Sequence, residues 1–78
     1  MDSQLIQVFV EVFKLKGTVT LDQLNSQEIS TWDSLKHLKI ILAVEQEFNV
    51  QFSTDAIPQL VSANAILAEL ESLGAGVH

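Results

Sequence analysis

Ser34 is a hydroxyl nucleophile with a carboxylate directly before it, Asp33, and an imidazole three positions later, His37. Two chemistries suit such a grouping. One is hydrolysis. A Ser-His-acid triad needs the acid to orient the far imidazole nitrogen while the near one faces the serine. Asp33 is the serine's immediate neighbour, so that geometry is hard to build. A chain of 78 residues also leaves little protein for a cleft and an oxyanion hole. The expectation is therefore a non-enzyme, with His37 a partly packed helix residue. The other chemistry is modification of the Ser34 hydroxyl. A phosphodiester at a helix start sits near unpaired backbone N–H groups and the positive end of the helix dipole. Asp-Ser before a helix is also ordinary capping chemistry, so the local pattern does not choose by itself. Metal chemistry has little to work with. The histidines are His37 and His78, there is no cysteine, and no carboxylate spacing matches a calcium loop.

These residues need a helix that begins at Ser34, and the sequence provides for one. Residues 34 to 48 contain no Gly or Pro, with Asp33 as N-cap and Asn49 as a residue suited to leaving a helix. Residues 3 to 15 place Leu5, Ile6, Phe9, Val12 and Phe13 at helical spacing, with Asp2 or Ser3 as cap and Gly17 as the stop. Val8 and Val10 add some β-propensity. Residues 17 to 33 read as a long ordered loop whose Val19, Leu21, Leu24, Ile29 and Trp32 pack on the core, with a short turn at Asp22 to Leu24. Val50 and Phe52 alternate around Gln51 in an extended link. The Ala56 to Leu60 stretch is at most one helical turn, because Pro58 is tolerated only near a helix start. Ser62 caps a last helix with Ala65, Ile66, Leu67, Leu70 and Leu73 on its apolar side and Gly74 as its stop, and residues 75 to 78 are expected to fray. The expected fold is all-α: one domain over residues 1–78, a small four-helix bundle of three main helices and one short one, with a long first loop.

Composition narrows the function classes. Ten acidic side chains stand against Lys14, Lys16, Lys36 and Lys39, a formal net charge of -6. Phosphate backbones would repel such a chain, which sets nucleic-acid binding aside. The acidic surface favours basic protein partners. Met-Asp-Ser-Gln lacks the basic segment and apolar run of a signal peptide, and no apolar run approaches the roughly 20 residues that span a bilayer. A cytoplasmic monomer without membrane insertion is expected, and the absence of cysteine is compatible with a reducing compartment.

Asp33-Ser34-Leu35, then Leu38, Ile41-Leu42 and Val44-Glu45-Gln46-Glu47-Phe48-Asn49-Val50, resembles the acyl carrier protein family. That family opens its second helix with Asp-Ser-Leu and closes it with an acidic run ending in Glu-Glu-Phe-Gly; here Asn49 replaces the glycine. Leu5 to Phe13 look like its first helix and Ser62 to Leu73 like its last, so the resemblance covers nearly the whole chain. It implies an acyl-carrier-like fold and a covalent 4'-phosphopantetheine arm on Ser34. A phosphopantetheinyl transferase would deliver the arm from coenzyme A with magnesium. The arm's thiol would hold acyl groups as thioesters between acyl-loading and acyl-using enzymes. Asp33 would cap the helix and help the transferase recognise it, and Leu35 would complete the motif.

At ~100° per residue, Ile40, Ile41, Val44 and Phe48 form one arc of this helix, and Leu35, Leu38 and Leu42 form a second arc beside Ser34. The second arc is either buried or an exposed strip for partners, and the resemblance favours the strip. Partner contacts are accordingly expected from Leu35, Lys36, Leu38, Lys39, Leu42, Glu45 and Gln46. One departure stands out. Positions matching Lys36 and Lys39 are typically acidic in fatty-acid carriers, so these lysines are either ordinary solvated residues or the mark of a changed partner set. With Trp32 ahead of the motif, the chain looks like freestanding carriers of polyketide or modified-lipid pathways. An aminoacyl or peptidyl carrier, or an unmodified helical adaptor protein, is the alternative.

Overall fold

The computed structural model describes residues 2–74; the expected fraying of residues 75 to 78, and His78, lie outside the described residues. Three α-helices form a small bundle: α1 over Asp2–Phe13, α2 over Ser34–Phe48 and α3 over Ala63–Ser72. Two single 3-10 turns, Leu21–Gln23 and Ile57–Gln59, interrupt the connections, and no strand occurs among the described residues. Where a short fourth helix is expected, the chain makes a single 3-10 turn, Ile57–Gln59, with Pro58 at its start, so the described residues hold three α-helices.

Each helix buries one face. Leu5, Val8, Phe9 and Phe13 of α1 meet Ile40, Ile41 and Val44 of α2 and Ala63, Ile66 and Leu70 of α3 in a single core. Leu24, Ile29, Phe52 and Leu60 join it from the connections. Val8 belongs to this core despite its β-propensity, because packing outweighs intrinsic preference in a helix this short. Among the described residues no polar side chain is buried.

Both ends of α1 differ from expectation. Asp2 lies inside the first turn of α1, so neither Asp2 nor Ser3 is its cap. α1 also stops earlier than Gly17. Lys14 takes a left-handed conformation, φ 55°, and the Leu15 N–H turns back to the Val10 carbonyl at 3.1 Å. That is a Schellman closure. α2 ends the same way on Asn49, φ 54°, with the Val50 N–H on the Glu45 carbonyl at 3.1 Å. α3 stops at Gly74 as expected, with φ 82° directly after the Leu73 C-cap, but Leu73 is exposed instead of on the apolar side.

The long first loop is held at both edges. Thr20 N–H donates to Gln23 Oε1 at 3.0 Å, closing the Leu21–Gln23 turn. Asn25 Oδ1 accepts from the Gln27 and Glu28 N–H groups, each at 2.9 Å, forming a second turn. Between them the loop crosses the start of α3: Ala63 N–H donates to the Leu24 carbonyl at 2.7 Å, and Ser26 N–H donates to the Val61 carbonyl at 2.9 Å. Ser62 then caps α3 through Oγ, which accepts from the Ala65 N–H at 3.0 Å.

Candidate functional site

Ser34 is the first residue of α2 and is exposed. Asp33 precedes it with extended backbone, and its Oδ1 accepts from the Lys36 N–H at 2.9 Å. The carboxylate satisfies one of the orphan donors of the first turn. This is why the helix starts where it does and why the serine side chain stands at its mouth.

Behind the serine, an indole and an imidazole close the seam between loop and helix. Trp32 Nε1–H donates to His37 Nδ1 at 3.0 Å, and His37 Nε2 lies 2.7 Å from the Ile57 carbonyl. An indole N–H can only donate, so Nδ1 is the acceptor and the proton is assigned to Nε2, which donates to Ile57. The Trp32 ring packs on Phe9 and Phe13 of α1, with centroids 5.6 and 5.1 Å away. One bridge therefore joins the first loop, α2 and the Ile57–Gln59 turn within a few residues of Ser34. Both ring nitrogens of His37 are engaged by groups other than Ser34.

A surface cavity of about 580 Å³ opens beside the serine. Ser34, His37 and Leu38 of α2 form one wall. Ile57, Pro58 and Val61 form the other, with Trp32 and Ser26 at the end nearer the first loop. The walls are mainly apolar, as in a site that holds an organic ligand by shape and burial. The positive end of α2 is the cationic feature at the serine hydroxyl; Lys36, whose Nζ lies on the Val12 carbonyl of α1, and the exposed Lys39 stand further along the helix.

The other sequence-derived residues divide by exposure. Leu35, Leu38 and Leu42 are 64%, 54% and 58% exposed, so the second arc of α2 is a strip at the surface and not a buried face. Lys39 and Gln46 flank it and are exposed. Lys36 is half-buried, and its Nζ donates to the Val12 carbonyl at 3.3 Å, at the C-terminal end of α1. Glu45 is half-buried too, with Oε2 accepting from the Phe52 N–H at 2.8 Å, so its carboxylate anchors the return from α2. Sequence reasoning missed the Trp32–His37–Ile57 bridge and the far wall at Pro58 and Val61. The Trp32–His37 pair lies five residues apart around a helix start, a spacing that gives some signal. Ile57 lies twenty positions from His37 and gave none. Among the described residues, no group of His, Asp and Glu side chains is arranged to hold a metal ion, and no helix is long and apolar enough to cross a membrane.

No family model matches the chain, and no curated protein or solved structure matches it either.

Proposed function

We propose that this chain is an acyl carrier protein with a four-helix, acyl-carrier-like fold, the Ile57–Gln59 turn standing for the short helix. Ser34 carries a 4'-phosphopantetheine arm, and the arm's terminal thiol holds acyl intermediates of a fatty-acid, polyketide or modified-lipid pathway. The observation that carries this reading is the placement of Ser34: exposed at the first position of α2, on the rim of an apolar-walled cavity.

The residues present suit the arm. In the attachment step, the Ser34 oxygen bonds to the phosphorus that bears the pantetheine half of coenzyme A. The nucleotide half leaves with the electron pair of the broken phosphoanhydride bond, and the serine proton passes to a base on the transferase. The resulting phosphodiester is anionic and sits at the positive end of α2. Asp33 is occupied as a cap and keeps the serine at the helix mouth. When bound, the arm supplies the thiol that a chain without cysteine lacks. The cavity gives the arm's apolar segments and the beginning of a cargo chain a place out of water. His37, held on both sides, is unavailable as a base for Ser34, which favours a carrier over a hydrolase.

Intact mass measurement tests the proposal. The chain is incubated with coenzyme A, magnesium and a broad-specificity phosphopantetheinyl transferase. A gain of one phosphopantetheinyl group is expected, and Ser34→Ala should abolish it. No gain on the unaltered chain would leave the helical adaptor as the better reading.

A further inference from the structure

The net charge of the chain is -6, yet its cations are not spread over it. α1 and α2 pack with the end of α1 against the first half of α2. Lys36 Nζ reaches the Val12 carbonyl, while the groove further along is lined by Val8 and Glu11 of α1 and Gln46 and Glu47 of α2. Lys14 and Lys16 follow α1 and are exposed at this same end. Lys39 stands one turn beyond Lys36 and is exposed. All four cations of the chain thus gather at the Ser34 end of α2. The acids near this end include Asp33, whose carboxylate is held by the Lys36 N–H, Glu28, which shares a second cavity with Lys16, and Glu11, which lines the α1–α2 groove beside Val12. The acids of α2 itself, Glu45 and Glu47, lie in its last turn.

The exposed strip of α2 runs through this basic end. Leu35, Leu38, Lys39 and Leu42 follow helical spacing, and Lys39 is the sole charge among them. Three leucines, each more than half exposed, form an apolar patch of the kind that marks an interaction site. A basic partner would meet Lys39 across that patch, and like charges at an interface disfavour binding. We infer that the Leu35–Leu42 strip docks partner proteins through a surface of apolar side chains edged by carboxylates, a sign opposite to what the net charge of the whole chain would select. The inference rests on the carrier reading for what the partner does, that is, loading or using the arm; it does not rest on it for the chemistry of the surface.

The test uses two helical probe peptides with the same leucine stripe, one flanked by glutamates and the other by lysines. Binding to the full, unmodified chain is measured by calorimetry at low salt and mapped by amide shifts in NMR spectra. The glutamate peptide is expected to bind about tenfold tighter, with shifts centred on Leu35, Leu38, Lys39 and Leu42. Lys39→Glu, a surface change, should reverse the preference. Ser34→Ala should leave it unchanged, so a failure of arm attachment and a failure of this inference are read separately. Equal or tighter binding of the lysine peptide overturns the inference, as does binding by neither peptide or a shift pattern away from the strip.

Discussion

An indole N–H can only donate, and that assigns the hydrogen-bond roles of the two His37 ring nitrogens. With Trp32 donating to Nδ1, that nitrogen is the acceptor and Nε2 is assigned as the donor to the Ile57 carbonyl. A proton on Nδ1 would set two donors against each other. His37→Phe keeps a ring in place but leaves the Trp32 N–H and the Ile57 carbonyl without their partner. Partly buried groups stripped of a hydrogen bond cost about 1–3 kcal/mol. In a domain of this size each kcal/mol moves the unfolding midpoint by roughly 4–8 °C, so a thermal melt followed by circular dichroism should show a clear drop. An unchanged midpoint would mean that the bridge contributes nothing to stability. Asp33 and Ser34 were legible in sequence because capping is a local affair. The bridge was not, because its third member reaches His37 only through the tertiary fold.

At the level of the helices, α1 and α2 close on non-glycine residues in the left-handed conformation, whereas α3 closes on Gly74. Gly17 looked like the stop of α1, but Lys14 takes the left-handed turn three residues earlier. A residue with a Cβ pays roughly 1–2 kcal/mol there. Lys14→Gly should therefore raise stability, although glycine's larger unfolded-state entropy offsets part of the gain. A rise of a few degrees in midpoint is expected; a fall would show that the Lys14 side chain contributes more than its backbone strain. Asn49, at the corresponding position after α2, needs no such repair, since asparagine tolerates this conformation better. Helical periodicity showed both apolar arcs of α2 correctly. It could not say which was covered, because that depends on where α1 and α3 lie. The structure covers Ile40, Ile41 and Val44 and leaves the leucine strip open.

Over the whole molecule, the first loop behaves as part of the core. Leu24 is 1% exposed, and its carbonyl holds the first N–H of α3. A domain of this size has a total stability of only about 5–10 kcal/mol. Truncating a buried leucine to alanine removes about 2–5 kcal/mol of that. Leu24→Ala should therefore lower the urea midpoint as severely as a helix-core truncation, in one cooperative transition. Loss of less than about 1 kcal/mol would make the loop an independent, weakly attached segment. The apolar residues of the loop announced this packing in the sequence. The crossing at Ser62, which ties the loop to α3, is a long-range backbone contact that no local pattern encodes.

Trp32 is the single tryptophan of the chain, two positions before Ser34 and packed at tilted angles among Phe9, Phe13 and His37. Its indole also borders the cavity beside the serine. Ultraviolet emission from this protein is thus the signal of one ring at one place, and any change in what fills or covers that corner is written into its colour and intensity without a dye or a tag.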